Sequence, residues 1–428
     1  MIEKSRKKEK YSRRIYKITR LFIAIFLCTG VFIIPAYAQT GVYTLNGGTA
    51  TQTGQTYAAT QVDQSAVYVL NSGNLTLINC TMTKTGDASN TNNSSQYGIN
   101  AGALANSAGV ITITGGSVTT NTSGANGLFA SGAGSAITMS NGTINASGGN
   151  AHGVDVTHTG SVTLTDVNVT TTGASSSALA TDFGGVTVTV TGGTIIASST
   201  SANSHSAGIY STGTISVSGA TVSSAGDCGG VIDGANSIIL TNTSLTGNVE
   251  GIKLWKTAPM SGTATVTITG GSLTSTAGDA FYVTGETGNA ATGAITVSGG
   301  ATISAATGNI LNVISSSTAT FTASGVTLTG DLVTAGGSTI TASLQNSTSL
   351  TGTINSAALS IDATSTCTLT GNSILTTVID PSGISGLSVT NITGNGFSAH
   401  YDATPSATRR PSPSKSSRRH MLCSRYST

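Results

Sequence analysis

Hydrophobic residues along most of this chain alternate with Thr or Ser in steps of two, stop at Gly- or Asn-containing pairs, and resume at a regular interval. One eight-residue phrase carries the pattern: hydrophobic, Thr/Ser, hydrophobic, Thr/Ser, two turn-forming residues, Ser/Thr/Asn, hydrophobic. Clear copies begin at Ile111, Ile137, Val162, Val188, Ile215, Val266 and Phe321, and looser ones at Leu75, Ile238 and Ile295. From Ile111 to Phe321 the mean step is about 26 residues, a period that belongs to repeat architectures. Period two puts Ile111 and Ile113 on one face and Thr112 and Thr114 on the other, so each phrase reads as a strand. The pairs Gly115-Gly116, Asn141-Gly142 and Gly192-Gly193 then turn the chain, because Gly and Asn tolerate positive φ.

A second, shorter phrase recurs inside each repeat: Gly or Ala, hydrophobic, variable, hydrophobic or small. It appears as Gly98-Ile99-Asn100-Ala101, Gly127-Leu128-Phe129-Ala130, Gly153-Val154-Asp155-Val156, Gly208-Ile209-Tyr210-Ser211, Gly251-Ile252-Lys253-Leu254 and Ala280-Phe281-Tyr282-Val283. Each repeat therefore holds two or three short strands. A unit this small cannot bury its own apolar face and must stack on copies of itself. With no helical periodicity between the strands, the fold class predicted is all-β, a right-handed parallel β-helix over residues 39–404. Roughly fourteen coils about 4.8 Å apart make a stack near 65 Å long. A β-propeller fits worse, since its blades need roughly 40 to 50 residues.

Charge changes the picture at both ends. Nine of the 18 Lys and Arg lie in the first twenty residues, ahead of an apolar stretch at residues 21–34 and the small-x-small site Ala36-Tyr37-Ala38. That order predicts a secretory signal at 1–38, the apolar stretch being shorter than the roughly 20 residues of a membrane span. Six more basic residues fall in the last twenty. Between the two ends only Lys84, Lys253 and Lys256 face fourteen acidic residues, a net of −11. A nucleic-acid partner is not expected of such a surface. Cys80, Cys228 and Cys367 are too widely spaced for a disulfide framework or a metal site, and no cofactor is expected.

Candidate chemistry lies at outward positions. The variable position of the short phrase carries Tyr68, Phe129, Tyr210 and Tyr282, and Trp255 lies two residues beyond Lys253; exposed aromatics there suit sugar rings or partner side chains. Outward Thr pairs such as Thr163/Thr165 and Thr189/Thr191 form a lattice similar to that of β-helical ice-binding proteins, although Thr is also an ordinary strand former. Asp155 and Asp182 fall on successive coils and are the pair a polysaccharide hydrolase would need, with His152 and His158 near them in sequence. Against catalysis, residues 39–408 contain no Arg to hold an anionic sugar.

The repeated Thr/Ser-rich coils, together with Leu369-Thr370-Gly371-Asn372-Ser373 and Val389-Thr390-Asn391-Ile392-Thr393-Gly394-Asn395-Gly396 near the end, resemble the passenger region of adhesin-type bacterial autotransporters and related pectin-lyase-like surface proteins. That resemblance implies an exported structural or adhesive module, secreted or on the outer surface of a Gram-negative cell, that binds glycans, host or matrix surfaces, or itself. The alternative it implies is a carbohydrate-active hydrolase or lyase; ice binding is a weaker one. No transmembrane barrel of its own is expected in the chain, and the abrupt basic, Ser/Pro-rich segment 405–428 is expected to be disordered or frame-shifted.

Overall fold

The computed structural model describes residues 39–202, 205–259, 261–286, 288–385, 388–401 and 419–423. The expected export signal and most of the 405–428 segment lie outside the described residues. Within that segment Arg419–Cys423 forms a strand that pairs antiparallel with Ala399–Tyr401. Among the described residues no helix is long and apolar enough to cross a membrane.

The repeats stack as a parallel β-solenoid of about 14 turns, at about 26 residues per turn. A typical turn contributes three strands, as in Val154–Thr157, Ser161–Thr165 and Asn168–Thr171. Each pairs in parallel with its counterpart one turn on: Val154 with Leu179, Val162 with Val188, Val169 with Ile195. Inward positions thus become ladders, such as Leu75, Ile111, Ile137, Val162, Val188 and Ile215 along one sheet. These residues are buried and belong to one continuous core running through the stack. Toward the C-terminal end the turns shorten, Phe321 pairing with Ala342 and Ala342 with Leu359.

The bend after the longest phrase has the same solution in turn after turn. Asn79, Gly115, Asn141, Asp166, Gly192, Gly219, Asn242, Gly270, Gly299 and Gly325 all sit there with φ between 48° and 68°. Gly, Asn and Asp are the residues that reach this left-handed conformation at least cost, which is why the sequence alternates among those three and no others. Gly116 is further constrained, because a Cβ there would lie 2.1 Å from the Cys80 carbonyl oxygen of the turn below.

One element departs from the strand-only expectation. A seven-residue helix, α1 (Thr91–Tyr97), interrupts the long turn between Leu75 and Ile111. The Asn90 side chain accepts the Asn92 and Asn93 N–H groups at its start, and Gly98 closes it with φ 67°. Capping makes so short a helix possible, and seven residues are too few to show a periodicity. Gly98 also seats the helix on the solenoid, since a Cβ there would meet the Phe129 ring at 2.3 Å.

Candidate functional site

From Ala103–Asn106 to Gly230–Asp233 the strands of the short phrase are buried on both sides. Their inward residues enter the core, and their outward residues are roofed by α1 and by the loops that follow the third strand of each turn. The roof is built from polar contacts passed from turn to turn. Asn126 Nδ2 donates to the Ser94 carbonyl of α1, the His152 N–H to Asn126 Oδ1, Ser177 Oγ to the His205 carbonyl, and the Ser206 N–H to Asp227 Oδ2. Thr157 Oγ1 reaches the Gln96 carbonyl at 3.0 Å.

Register places the variable positions of the short phrase in a single outward column: Tyr68, Leu104, Phe129, Asp155, Ala180, Tyr210, Val231, Lys253, Tyr282 and Asn312. The sequence reading that the variable positions share one face holds for Tyr68, Phe129, Asp155, Tyr210, Lys253 and Tyr282, whereas Leu104 rather than Asn100 takes the column in the turn before Phe129; the expectation that the aromatics stand exposed does not hold. Phe129 is 0% exposed and Tyr68 and Tyr210 are buried. Tyr68 and Phe129 pack with Ala101 and Leu104 under the roof, and Tyr210 packs with Ala207, Cys228 and Val231. The loops that repeat with the strands cover the column up to Val231. Trp255 and Tyr282, beyond that point, are half-buried. Lys253 Nζ stands 4.0 Å over the Trp255 ring.

Among the described residues the roof leaves an opening over the middle turns. A cleft of about 240 Å³ is lined by Ser95 of α1, by Asn150, His152, Ser175 and His205 of the loops, and by Asp182 and Tyr210 of the sheet. Every lining side chain is able to hydrogen-bond, and none is Lys or Arg. His152 Nδ1 accepts the Ser177 N–H at 2.9 Å, so its proton sits on Nε2. Burial lowers the His152 pKa to about 4, which keeps the ring neutral at any ordinary pH. The rings of His205 and Tyr210 lie 5.1 Å apart, and Trp255 is 6.1 Å from His205. Burial, followed by the charges of Asp233 and Asp182, pushes the Tyr210 hydroxyl well above its usual range.

Asp155 and Asp182 do lie on adjacent turns, but in diagonal rather than facing register, because Asp182 pairs with Thr157 and Asp155 with Ala180. From strand geometry their Cα atoms are about 8 Å apart. Only Asp182 reaches the cleft. Asp155 is 0% exposed, and neither of its carboxyl oxygens has a hydrogen-bond partner of good geometry. Burial and then the charge of Asp182 drive its pKa well above the carboxylate range, with only a small offset from the neighbouring Val156 amide. Burial, then the charge of Asp233, raises Asp182 to about 6.

Linkage gives the first prediction. A carboxyl whose folded pKa of about 6 exceeds its unfolded value stabilises the fold below pH 4, and that contribution is lost as pH rises through 6. Asp182→Asn is expected to match the wild type near pH 4 and to exceed it by about 2 kcal/mol at pH 7. Urea unfolding at the two pH values checks this; an equal gain at both would show that Asp182 titrates normally. The His152 contribution runs the other way, lost as pH falls from 6.5 toward 4, and cancels in the comparison.

The aromatic column and the Asp pair were legible in the sequence, whereas the cleft was not. Its walls come from α1 and from Gly/Ser/Asn loops that carry no hydrophobic period. No repeat spacing links His205 to the other cleft residues, nor the rings of Tyr97, His158 and Phe183 to one another. Among the described residues no three His, Cys, Asp or Glu side chains are grouped to hold a metal ion. A scan against protein-family models finds none that matches the chain, and a search of curated proteins finds no matching relative.

Proposed function

We propose that this chain is an exported adhesive rod that binds neutral carbohydrate in the cleft beside Asp182. The observation that carries the reading is the composition of that cleft: seven hydrogen-bonding side chains, three of them aromatic rings, and no Lys or Arg among the described residues. Hydroxyl-rich, uncharged ligands match such a lining, since the carboxylate accepts from hydroxyls and the imidazole and phenol rings offer both polar edges and apolar faces. An acidic polysaccharide would find no guanidinium to pair with and would meet a rod whose central charge is strongly negative. The resemblance of the coils to adhesin-type passengers, and the signal-like start of the sequence, support an extracellular setting.

Hydrolysis is the weaker reading. It draws on two carboxyls with raised pKa values on adjacent turns, yet Asp155 is sealed under the roof, where no substrate water reaches it. A different observation favours ice binding as a minor alternative. Thr76, Thr112, Thr138, Thr163 and Thr189 form an unbroken outward column, though Ser216 and Ile239 end its regularity. Thermal hysteresis reads that out directly.

The test is binding of the full chain to immobilised neutral and acidic polysaccharides, with reducing-end release measured in parallel. Retention on neutral glucans or galactans without release of new ends is the expected result. Retention on acidic polysaccharides alone, or turnover abolished by Asp182→Asn, would overturn the adhesive reading.

A further inference from the structure

Phe183 is difficult to explain as a folding residue. It is 55% exposed and adopts φ 62°, a left-handed conformation that a bulky aromatic rarely takes. Gly184 and Gly185 follow in the same conformation, at 59° and 63°, so the turn already uses the residues that suit it. A strained, exposed aromatic kept where Gly or Asn would cost less points to a role outside folding.

The ring is held in place nonetheless. It stacks on His158 at 5.1 Å with 10° between planes, and His158 stacks on Tyr97 of α1 at 5.8 Å and 9°. The three rings thus form a near-parallel pile against the turns. Beyond Phe183 the next turn offers no ring to continue it. Residues 212–213 alone join Ile209–Ser211 to Thr214–Ser218, whereas residues 183–186 bridge the same gap one turn earlier. The turn after Phe183 is itself uncovered, since a Cβ added to Gly184 would meet nothing within 4 Å. Asp182, the preceding residue, lines the cleft.

We infer that Phe183 is a stacking platform for one ring of a neutral oligosaccharide whose neighbouring ring occupies the Asp182 cleft. The inference rests on the carbohydrate reading above and extends it to a second subsite. A pyranose has an apolar C–H face that covers an aromatic ring, while its rim of hydroxyls turns toward polar groups. Here the ring follows directly on Asp182, a residue of the cleft wall, and the His158 and Tyr97 rings behind Phe183 remove the ordering cost that a mobile aromatic would add on binding.

Calorimetric titration with maltotetraose and cellotetraose, and with trigalacturonate as the acidic control, tests this on the full chain. The wild type is compared with Phe183→Gly, Phe183→Trp and Asp182→Asn, and each is also unfolded thermally. Phe183→Gly is expected to unfold at the wild-type temperature or above it, because left-handed strain is relieved, and to bind the neutral tetrasaccharide about tenfold more weakly. Phe183→Trp is expected to retain binding. Wild-type affinity in Phe183→Gly would overturn the platform while leaving the cleft intact. A loss of binding accompanied by a lower unfolding temperature, unrescued by Trp, would make the ring a structural cover for His158 and overturn the platform too. Failure of the wild type to bind either neutral sugar would remove the carbohydrate reading itself.

Discussion

A chain carrying Asp155→Leu is expected to be more stable than the wild type at pH 7, by about 3 kcal/mol. Most single substitutions in a packed interior destabilise, so the sign is the informative part. Asp155 occupies an outward position that the roof has turned into interior, between Phe129 and Ala180 of the adjoining turns. Its carboxyl is held protonated by burial and still lacks good partners, so the fold bears the desolvation cost without the offsetting bonds. Leu104 fills the same column two turns earlier, and the small Ala180 leaves room for a branched side chain. Urea midpoints at pH 7 and pH 4 measure the effect, with the gain smaller at pH 4, where the acid form carries no ionisation penalty in the fold. A loss of stability at both pH values would mean that Asp155 has a partner inside the solenoid that burial alone does not reveal.

The opposite extreme is Phe321→Ala, expected to cost roughly 3–5 kcal/mol. Phe321 and Phe281 are both fully buried and meet across the core with ring centroids 6.2 Å apart. Ala342 follows Phe321 in its ladder, so the turn beyond supplies no side chain large enough to refill the space. In a solenoid each turn contacts only its neighbours, and the damage should stay local. Limited proteolysis of Phe321→Ala is expected to cut first between residues 288 and 345 while the turns before residue 250 stay protected. Cleavage spread evenly along the chain would contradict a stack of semi-independent turns.

How much of this was visible in the sequence follows from what has a period. The two-residue alternation and the 26-residue step are consequences of stacking, because each inward Ile, Val or Leu must lie on its counterpart one turn away. That constraint made the solenoid, the ladders, and even the shared column of Tyr68, Phe129, Asp155, Tyr210 and Tyr282 readable. It carries no information about what lies above the column. The roof is Ser, Asn and Gly held by side-chain hydrogen bonds such as Ser177 to His205, and those depend on distances between turns rather than on any spacing along one. Outward therefore failed to mean exposed. The same gap hid α1, whose capping residues Asn90 and Gly98 blend into a chain rich in both types, and with it the cleft that Ser95 helps to close.

The claim that the cleft is the binding site is tested most directly by filling it. Ser95 lies on α1, outside the solenoid core, and lines the cleft. Ser95→Trp occupies that space without altering a strand or a ladder. Titration of wild type and Ser95→Trp with the neutral tetrasaccharide is expected to show binding lost in the variant while the two proteins unfold at the same temperature. Equal affinity in both would place the carbohydrate elsewhere on the solenoid and contradict the account.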